Sequence, residues 1–227
     1  MEIISVNETL EIPTEKLIRI IAGEVVFNIS CTPVNLEELA TGFLISEGLV
    51  KDYNVEVEVR DDVIAVKTPV EKSGEFQLRS SGSPGVFRLA DDLPKVKANE
   101  KFSVEECRDS LKYLDTEEYR RTRGYHTAAL VSKMRMVARA YDVGRHNAID
   151  KAIGIGVRKN VDFTRIFLLV SGRISQGMVA KCVRCGIPLL VSKAAILDSA
   201  IEKCKETGLS AISFATGIAL KGEALII

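Results

Sequence analysis

The run Asp142-Val143-Gly144-Arg145-His146-Asn147-Ala148-Ile149-Asp150-Lys151 packs several polar and backbone duties into a few residues. Residues 134–141 (MRMVARAY) before it alternate like a half-buried strand, and Ala148, Ile149, Ala152 and Ile153 after it fall on one helical face. The motif therefore reads as a strand-to-helix turn. Gly144 lets the backbone turn or approach a ligand closely, and the free N–H groups and dipole of the helix start favour an anion. Arg145 and Lys151 add positive charge there. His146 and Asp150 stand four apart, so they can share a face as an oriented imidazole–carboxylate pair. The competing reading is a solvated helix start with one capping Asn and a surface ion pair.

A second turn of the same kind, Ser171-Gly172-Arg173, follows the apolar run IFLLV and precedes a segment carrying Met178, Val179 and Cys182. In open α/β sheets, ligands gather beyond the carboxyl ends of the strands, where loops and helix N-termini converge. Two such turns, each with a glycine and an arginine, predict a site for a phosphate-bearing ligand. Alternatively, both glycines serve only to make tight turns.

The elements that must position these turns divide the chain unequally. Over residues 1–72, segments 3–12, 16–21 and 25–28 read as extended, with Ala22-Gly23-Glu24 as a turn. Asn35 and Glu38 form an N-cap pattern for an apolar helix over 36–49 that Gly48 stops. Segments 55–60 and 63–67 alternate around Asp61-Asp62 as a hairpin does. This predicts a small α+β N-terminal domain. Residues 73–99, with SSGSPG at their centre, read as a Ser/Gly/Pro-rich loop or linker.

Residues 100–227 form the second domain. Ser103 and Glu106 cap a helix over 107–114, and strands are expected at 126–131, 134–141, 165–170, 188–191 and 209–214. Helices over 147–157, 176–185 and 194–207 alternate with them. That order predicts an α/β fold with a substantially parallel, helix-covered sheet.

Composition excludes several function classes. The 227 residues carry 31 Lys plus Arg against 31 Asp plus Glu, which argues against non-specific nucleic-acid binding. The start, MEIISVNETLEIP, has no basic region followed by an apolar one, and no run reaches membrane-span length, so a cytoplasmic protein without membrane partners is expected.

Thiol and imidazole chemistry has few candidates. Cys31, Cys107, Cys182, Cys185 and Cys204 are an odd, scattered set unlike a secreted disulfide framework. Cys182 and Cys185 make the only CxxC, at the end of a helix stopped by Gly186 and Pro188. Its spacing could suit a redox pair or half a zinc site, but cysteines at the end of a helix are more often small buried apolar residues, and that reading is preferred. Cys31, Cys107 and Cys204 read as packing residues. His126 and His146 are the only histidines.

DVGRHNAIDKAIG, the later SGRIS, and CTPVNLEELATGFLISEGLV near the N-terminus together resemble the FdhD/NarQ family, the formate dehydrogenase accessory proteins. The resemblance spans nearly the whole chain. It implies a cytidine-deaminase-like α/β/α C-terminal domain joined to the small N-terminal one, and a homodimer. It also implies transfer of sulfur from a cysteine desulfurase to the molybdenum or tungsten bis(molybdopterin guanine dinucleotide) of formate dehydrogenase, bound as cargo. The matching cofactor-binding stretch is Phe214-Ala215-Thr216-Gly217-Ile218-Ala219. The same motifs put Gly144, Arg145, His146, Asn147, Asp150, Lys151, Ser171, Gly172, Arg173 and His126 in that site.

The chain departs from the family at its most chemical point. Where the family carries CGxCG, whose first cysteine bears the persulfide, this sequence has Ser81-Gly82-Ser83-Pro84-Gly85. A hydroxyl cannot replace the thiolate that sulfane transfer requires. Cys182 and Cys185 are then the only closely spaced thiols left. The family's TGG-H is Thr122-Arg123-Gly124-Tyr125-His126 here, and its Glu before Asp142 is Tyr141.

Three functions follow for testing: a cofactor-binding accessory protein, a binding protein of the same fold without sulfur transfer, and a zinc-dependent deaminase. The last needs His-x-Glu and Pro-Cys-x-x-Cys. Here His126 is followed by Thr127-Ala128 and Cys182 is preceded by Lys181, so no zinc is expected.

Overall fold

Lys16–Ala22 (β1) and Val25–Cys31 (β2) alternate outward and inward, so that Ile18, Ile20, Phe27 and Ile29 line one face. Gly23, at φ +62°, makes the turn between them. The computed structural model that supplies this geometry describes residues 10–71, 93–133 and 135–226, together with the backbone of 76–78 and 84–86. Extended structure expected over 3–9, and the residue at 134, lie outside the described residues, and residues 10–12 are not in a strand.

Helix α1 (Leu36–Ser46) follows, then the hairpin Val57–Arg60 (β3) and Val63–Val66 (β4). The strands assemble in the order β2-β1-β4-β3, with β1 and β4 parallel. Gly48, at φ +67°, ends the helix as expected. The expected cap at Asn35 is not formed: that residue adopts φ 53° with no side-chain capping bond, and Glu38 instead pairs with Arg158 at 2.7 Å.

Every residue from Leu39 to Ser46 is buried. The cause is two-sided packing. Leu39, Ala40, Phe43 and Leu44 cover the first sheet, and the opposite side meets a helix of the second unit, α4 (Arg145–Arg158). A Cβ on Gly42 would overlap the Asp150 carbonyl, and one on Gly154 would overlap that of Glu38. Glycine on both helices is what permits this backbone contact.

The expected linker is partly structured. Phe76–Leu78 (β5) pairs antiparallel with Pro84–Val86 (β6), while the intervening 79–83, which include Ser81, lie outside the described residues. Residues 93–99 belong to the second unit: the Val96 N–H donates to the Thr207 carbonyl and that of Asn99 to Thr164.

The second unit begins with Phe102–Ser103 (β7) and α2 (Val104–Asp109), whose Ser103–Glu106 capping box forms at 3.1 and 2.7 Å. A 3-10 turn (Ser110–Leu114) and α3 (Glu117–Thr122) lead into His126–Ser132 (β8) and Met136–Asp142 (β9). After α4 come Ile166–Val170 (β10), α5 (Gln176–Arg184), Leu189–Ser192 (β11), α6 (Asp198–Thr207) and Ser210–Ser213 (β12). Two short strands, Ile218–Leu220 (β13) and Leu225–Ile226 (β14), close the chain.

The main sheet runs β13-β12-β11-β10-β8-β9, with β10, β11 and β12 parallel at its centre and β8 antiparallel between β10 and β9. The fully apolar IFLLV of β10 is buried throughout, because both faces are covered. Helices α4, α5 and α6 pack on one face, and Phe102, Cys107, Leu114 and Leu225 on the other. The α/β architecture is thus present, as three layers, but the expected parallel pairing holds only across β10, β11 and β12: β8, β9 and β13 pair antiparallel, because β8 and β9 form a hairpin and β13 folds straight back on β12.

Candidate functional site

One end of the main sheet gathers the ends of β9, β10, β11 and β12 together with the start of β8. The strand directions place His126, Asp142, Ser171, Ser192 and Ser213 along this edge. Serines tie the loops side by side. Ser192 Oγ donates to the Gly172 carbonyl at 2.7 Å and accepts from the Ala194 N–H. Ser213 Oγ donates to the Ala194 carbonyl at 2.8 Å, and Thr216 Oγ1 lies 2.6 Å from it.

The two glycine turns meet at this edge. A Cβ on Gly172 would sit 3.1 Å from Arg145 Cδ and 3.5 Å from His126 Nδ1. The glycine lets the Arg145 side chain pack directly against the turn, where a Cβ would be tight. His126 Nδ1 lies 3.3 Å from Ser171 Oγ, which also accepts the Thr127 N–H at 2.9 Å. Burial, reinforced by the Arg145 charge and partly opposed by Asp142, holds the imidazole below the ordinary histidine range.

Beside these residues lies a cavity of about 410 Å³, lined among others by Tyr119, Arg123, Tyr125, His126, Ser171 and Lys193. Its described lining holds two cations and no carboxylate. Arg123 ends α3 at φ 56°, a left-handed conformation that favours glycine, and its guanidinium lies 5.2 Å from the Tyr119 ring centroid. Tyr125 and Tyr141 pack together with centroids 5.0 Å apart.

The expected cofactor stretch forms the adjacent turn and strand. Phe214 is held over the core, with the Arg108 guanidinium 5.3 Å from its ring. Ala215, Thr216, Gly217, Ile218 and Ala219 are exposed, and Gly217 turns the chain at φ +66°. Arg173 is also exposed. His146 is buried near the first turn of α5: a Cβ on Gly177 would lie 3.7 Å from its Nε2.

The second half of the 142–151 motif faces the other way. Lys151 Nζ, fully buried, lies 2.6 Å from Asp142 Oδ2 and donates to the Thr32 carbonyl at 2.7 Å. Asp142 also accepts from the N–H groups of Thr32 and Gly144. The Asn147 amide donates to Asp142 and to the Ser30 carbonyl. A Cβ on Gly144 would crowd that amide at 2.7 Å, so the glycine serves this network.

Asp150 turns to Ser46 and Lys181, each 2.6 Å from its Oδ1, and Lys181 also reaches Glu47 at 2.7 Å. Burial pushes the Asp150 carboxyl up against the pull of Lys181. Asn147, Asp150 and Lys151, expected at the ligand, instead fasten the first unit to the second. Their partners already take up the hydrogen-bonding groups an anion would need.

All five cysteines are buried. Cys182 and Cys185 lie inside the core behind α5, so the CxxC is not poised as a sulfur acceptor. Burial raises Cys182 well above the ordinary thiol range and pushes Cys185 up to about 12. The same cause brings Cys31, Cys107 and Cys204 to about 12. Among the described residues, no three His, Cys, Asp or Glu side chains stand together as metal ligands.

Sequence reasoning missed Lys193 and the tyrosines of the cavity. A signal for Lys193 was present: Ser192-Lys193 ends an apolar strand as Ser171-Gly172-Arg173 does.

A family model described as the FdhD/NarQ family matches residues 13–221. A protein of Methanothermobacter thermautotrophicus named Sulfur carrier protein FdhD is 32% identical over 200 residues, covering 83% of this chain and 78% of that one. Its namesake in Bacillus subtilis is 28% identical, covering 86% and 80%. A crystal structure from Desulfotalea psychrophila, described as that of a formate dehydrogenase accessory protein, superposes with a TM-score of 0.78 at 22% identity, over 95% of this chain and 91% of that one.

Proposed function

The chain belongs to the FdhD/NarQ family, and on that premise we propose that it is an accessory protein of formate dehydrogenase maturation. It binds the molybdenum or tungsten bis(molybdopterin guanine dinucleotide) as cargo at the carboxyl edge of the main sheet. The observation that carries this reading is the cavity beside His126, with Arg123 and Lys193 in its described lining and no carboxylate there. A phosphate-bearing ligand suits such a lining, and the exposed Ala215–Ala219 turn stands at the same edge. The parallel sheet centre with helical layers on both faces supports assigning the second unit to the cytidine-deaminase-like folds.

Calorimetric titration with GDP, the nucleotide end of the cargo, tests the site. Lys193→Ala and Arg173→Ala should each weaken binding while leaving the protein folded. Undiminished affinity in both would remove the edge from consideration.

Within this reading the protein holds the cargo without carrying sulfur on a thiol of its own. What favours this form is the burial of every cysteine in the chain, together with serine at the family's persulfide position. Incubation with a cysteine desulfurase and labelled cysteine should leave the native protein unlabelled.

A further inference from the structure

We infer that Arg123 and Lys193 form a two-cation clamp for a diphosphate, and that the cavity takes this part of the ligand rather than its guanine base. The inference deepens the cargo-site reading and rests on it for the identity of the ligand.

Both cations are left over by the protein's own ion pairing. The neighbouring arginines of α3 are engaged: Arg120 donates to both carboxylate oxygens of Asp115, at 2.9 and 2.5 Å, and Arg121 pairs with Glu11 at 2.9 Å. Among the described residues, neither Arg123 nor Lys193 has an ion pair, and the Arg123 guanidinium rests on the Tyr119 ring. Asp115 is held below the ordinary carboxylate range first by its bond to Arg120 and only then by the charges of Lys193 and Arg123. The field of the two cations thus reaches a carboxylate that is already taken.

Arg123 keeps its place at a conformational cost. It ends α3 in the left-handed region, at φ 56°, where glycine would stop the helix with less strain. The cap therefore does not account for an arginine, and a side chain kept at a strained position points to a use for that side chain. Tyr119 holds the guanidinium plane from one side, which leaves its N–H edge for a ligand. Lys193 enters the same cavity from the turn after β11. That turn is fixed by the Lys193 N–H on the Val170 carbonyl and the Ala194 N–H on Ser192 Oγ.

Two cations on separate elements match two linked phosphates better than one. Guanine, by contrast, presents an N–H and an amino group that a carboxylate would receive, and the described lining holds no carboxylate.

Calorimetric titration of the full-length protein with inorganic pyrophosphate reads the clamp directly. Pyrophosphate should bind at least about 10-fold more tightly than inorganic phosphate and should displace GDP. Arg123→Gly and Lys193→Ala should each weaken pyrophosphate and GDP about 10-fold or more, as loss of one charge-assisted bond does. Arg123→Gly should at the same time keep or raise the melting temperature, because it relieves left-handed backbone; an arginine with only a structural role would lower it. Arg165→Ala, which removes an exposed cation just before β10 at the other end of the sheet, should leave binding unchanged. Equal pyrophosphate affinity in wild type and Arg123→Gly, or an equal loss in Arg165→Ala, overturns the clamp. If GDP binds and pyrophosphate does not displace it, the clamp fails while the cargo-site reading stands. Pyrophosphate binding without GDP binding upholds the clamp and removes the nucleotide cargo, and binding of neither defeats both.

Discussion

Lys151 Nζ sits 2.6 Å from Asp142 Oδ2 with both side chains fully buried, and the same ammonium donates to the carbonyl of Thr32 in the other structural unit. The pair is local in sequence, spanning the turn from β9 into α4. Its consequence is not local. Asp142 accepts the Thr32 N–H as well, so one ion pair holds the end of β2 against the start of α4. The motif most suggestive of ligand chemistry is therefore divided, with Arg145 beside Gly172 and His126 and with Asn147, Asp150 and Lys151 at the seam between units.

Removing one member of this pair should be costly. Lys151→Met leaves a buried carboxylate uncompensated, and the expected loss is about 3–5 kcal/mol of folding stability. A double-mutant cycle with Asp142→Asn, measured by urea denaturation, should return a coupling of at least about 1 kcal/mol. Additive single effects would mean that the two charges do not act together.

The α1–α4 crossing makes a second prediction. Gly42→Ala and Gly154→Ala each put a methyl into the backbone of the facing helix. Neither backbone can rotate out of the way as a flexible side chain could, so each substitution should cost about 3 kcal/mol or more. Gly186→Ala is the contrasting control. A Cβ there meets no neighbour within 4 Å, and only its φ of +71° is strained, so its cost should stay near 1 kcal/mol, the approximate penalty of left-handed backbone. Thermal unfolding of the three variants ranks them; equal losses would deny the crossing its special role.

These contacts show where sequence reading stops. The turns at Gly144 and Gly172 were legible because glycine, arginine and a preceding apolar strand are local signals. The fate of Asp150 was not, since its partners Ser46 and Lys181 lie 104 and 31 residues away. Helical spacing gives a face but not what stands opposite it. One long-range signal was available: the segment LEELATGFLIS becomes apolar or small on all sides after its first turn, as a helix buried on two faces must. The Asn35 cap failed because that residue takes the left-handed conformation at φ 53° rather than the extended one a side-chain cap uses, while the Glu38 carboxylate pairs with Arg158 in the other unit.

His126 sets a pH dependence. Its folded pKa lies below the ordinary value of 6.5, chiefly through burial and then through Arg145. In the window between the two values the unfolded chain binds more protons, so stability rises with pH there. The contribution is complete above about pH 6.5 and is lost as pH falls through the lowered folded value. Urea midpoints measured from about pH 5 to pH 7.5 should fall on the acid side, and the slope should be shallower in His126→Gln. An unchanged slope in that variant would assign the acid sensitivity elsewhere.

The buried cysteines give the last prediction. None of the five thiols should react quickly with an aromatic disulfide reagent in the native protein, and all five should react in denaturant. Their raised pKa values set the alkaline behaviour as well. Between the ordinary thiol value of 9.0 and the folded values of about 12, the folded chain holds protons that the unfolded chain has released. Stability should therefore fall as pH rises through that window. The same burial denies a desulfurase its acceptor, because sulfane transfer needs an accessible thiolate. Ser81→Cys restores a thiol at the position matching the family's persulfide cysteine, and this variant alone should take up label from desulfurase and labelled cysteine, located by mass spectrometry. Label on Cys182 or Cys185 of the native wild-type chain would show instead that α5 opens to expose them, and sulfur transfer would return to this protein's own thiols.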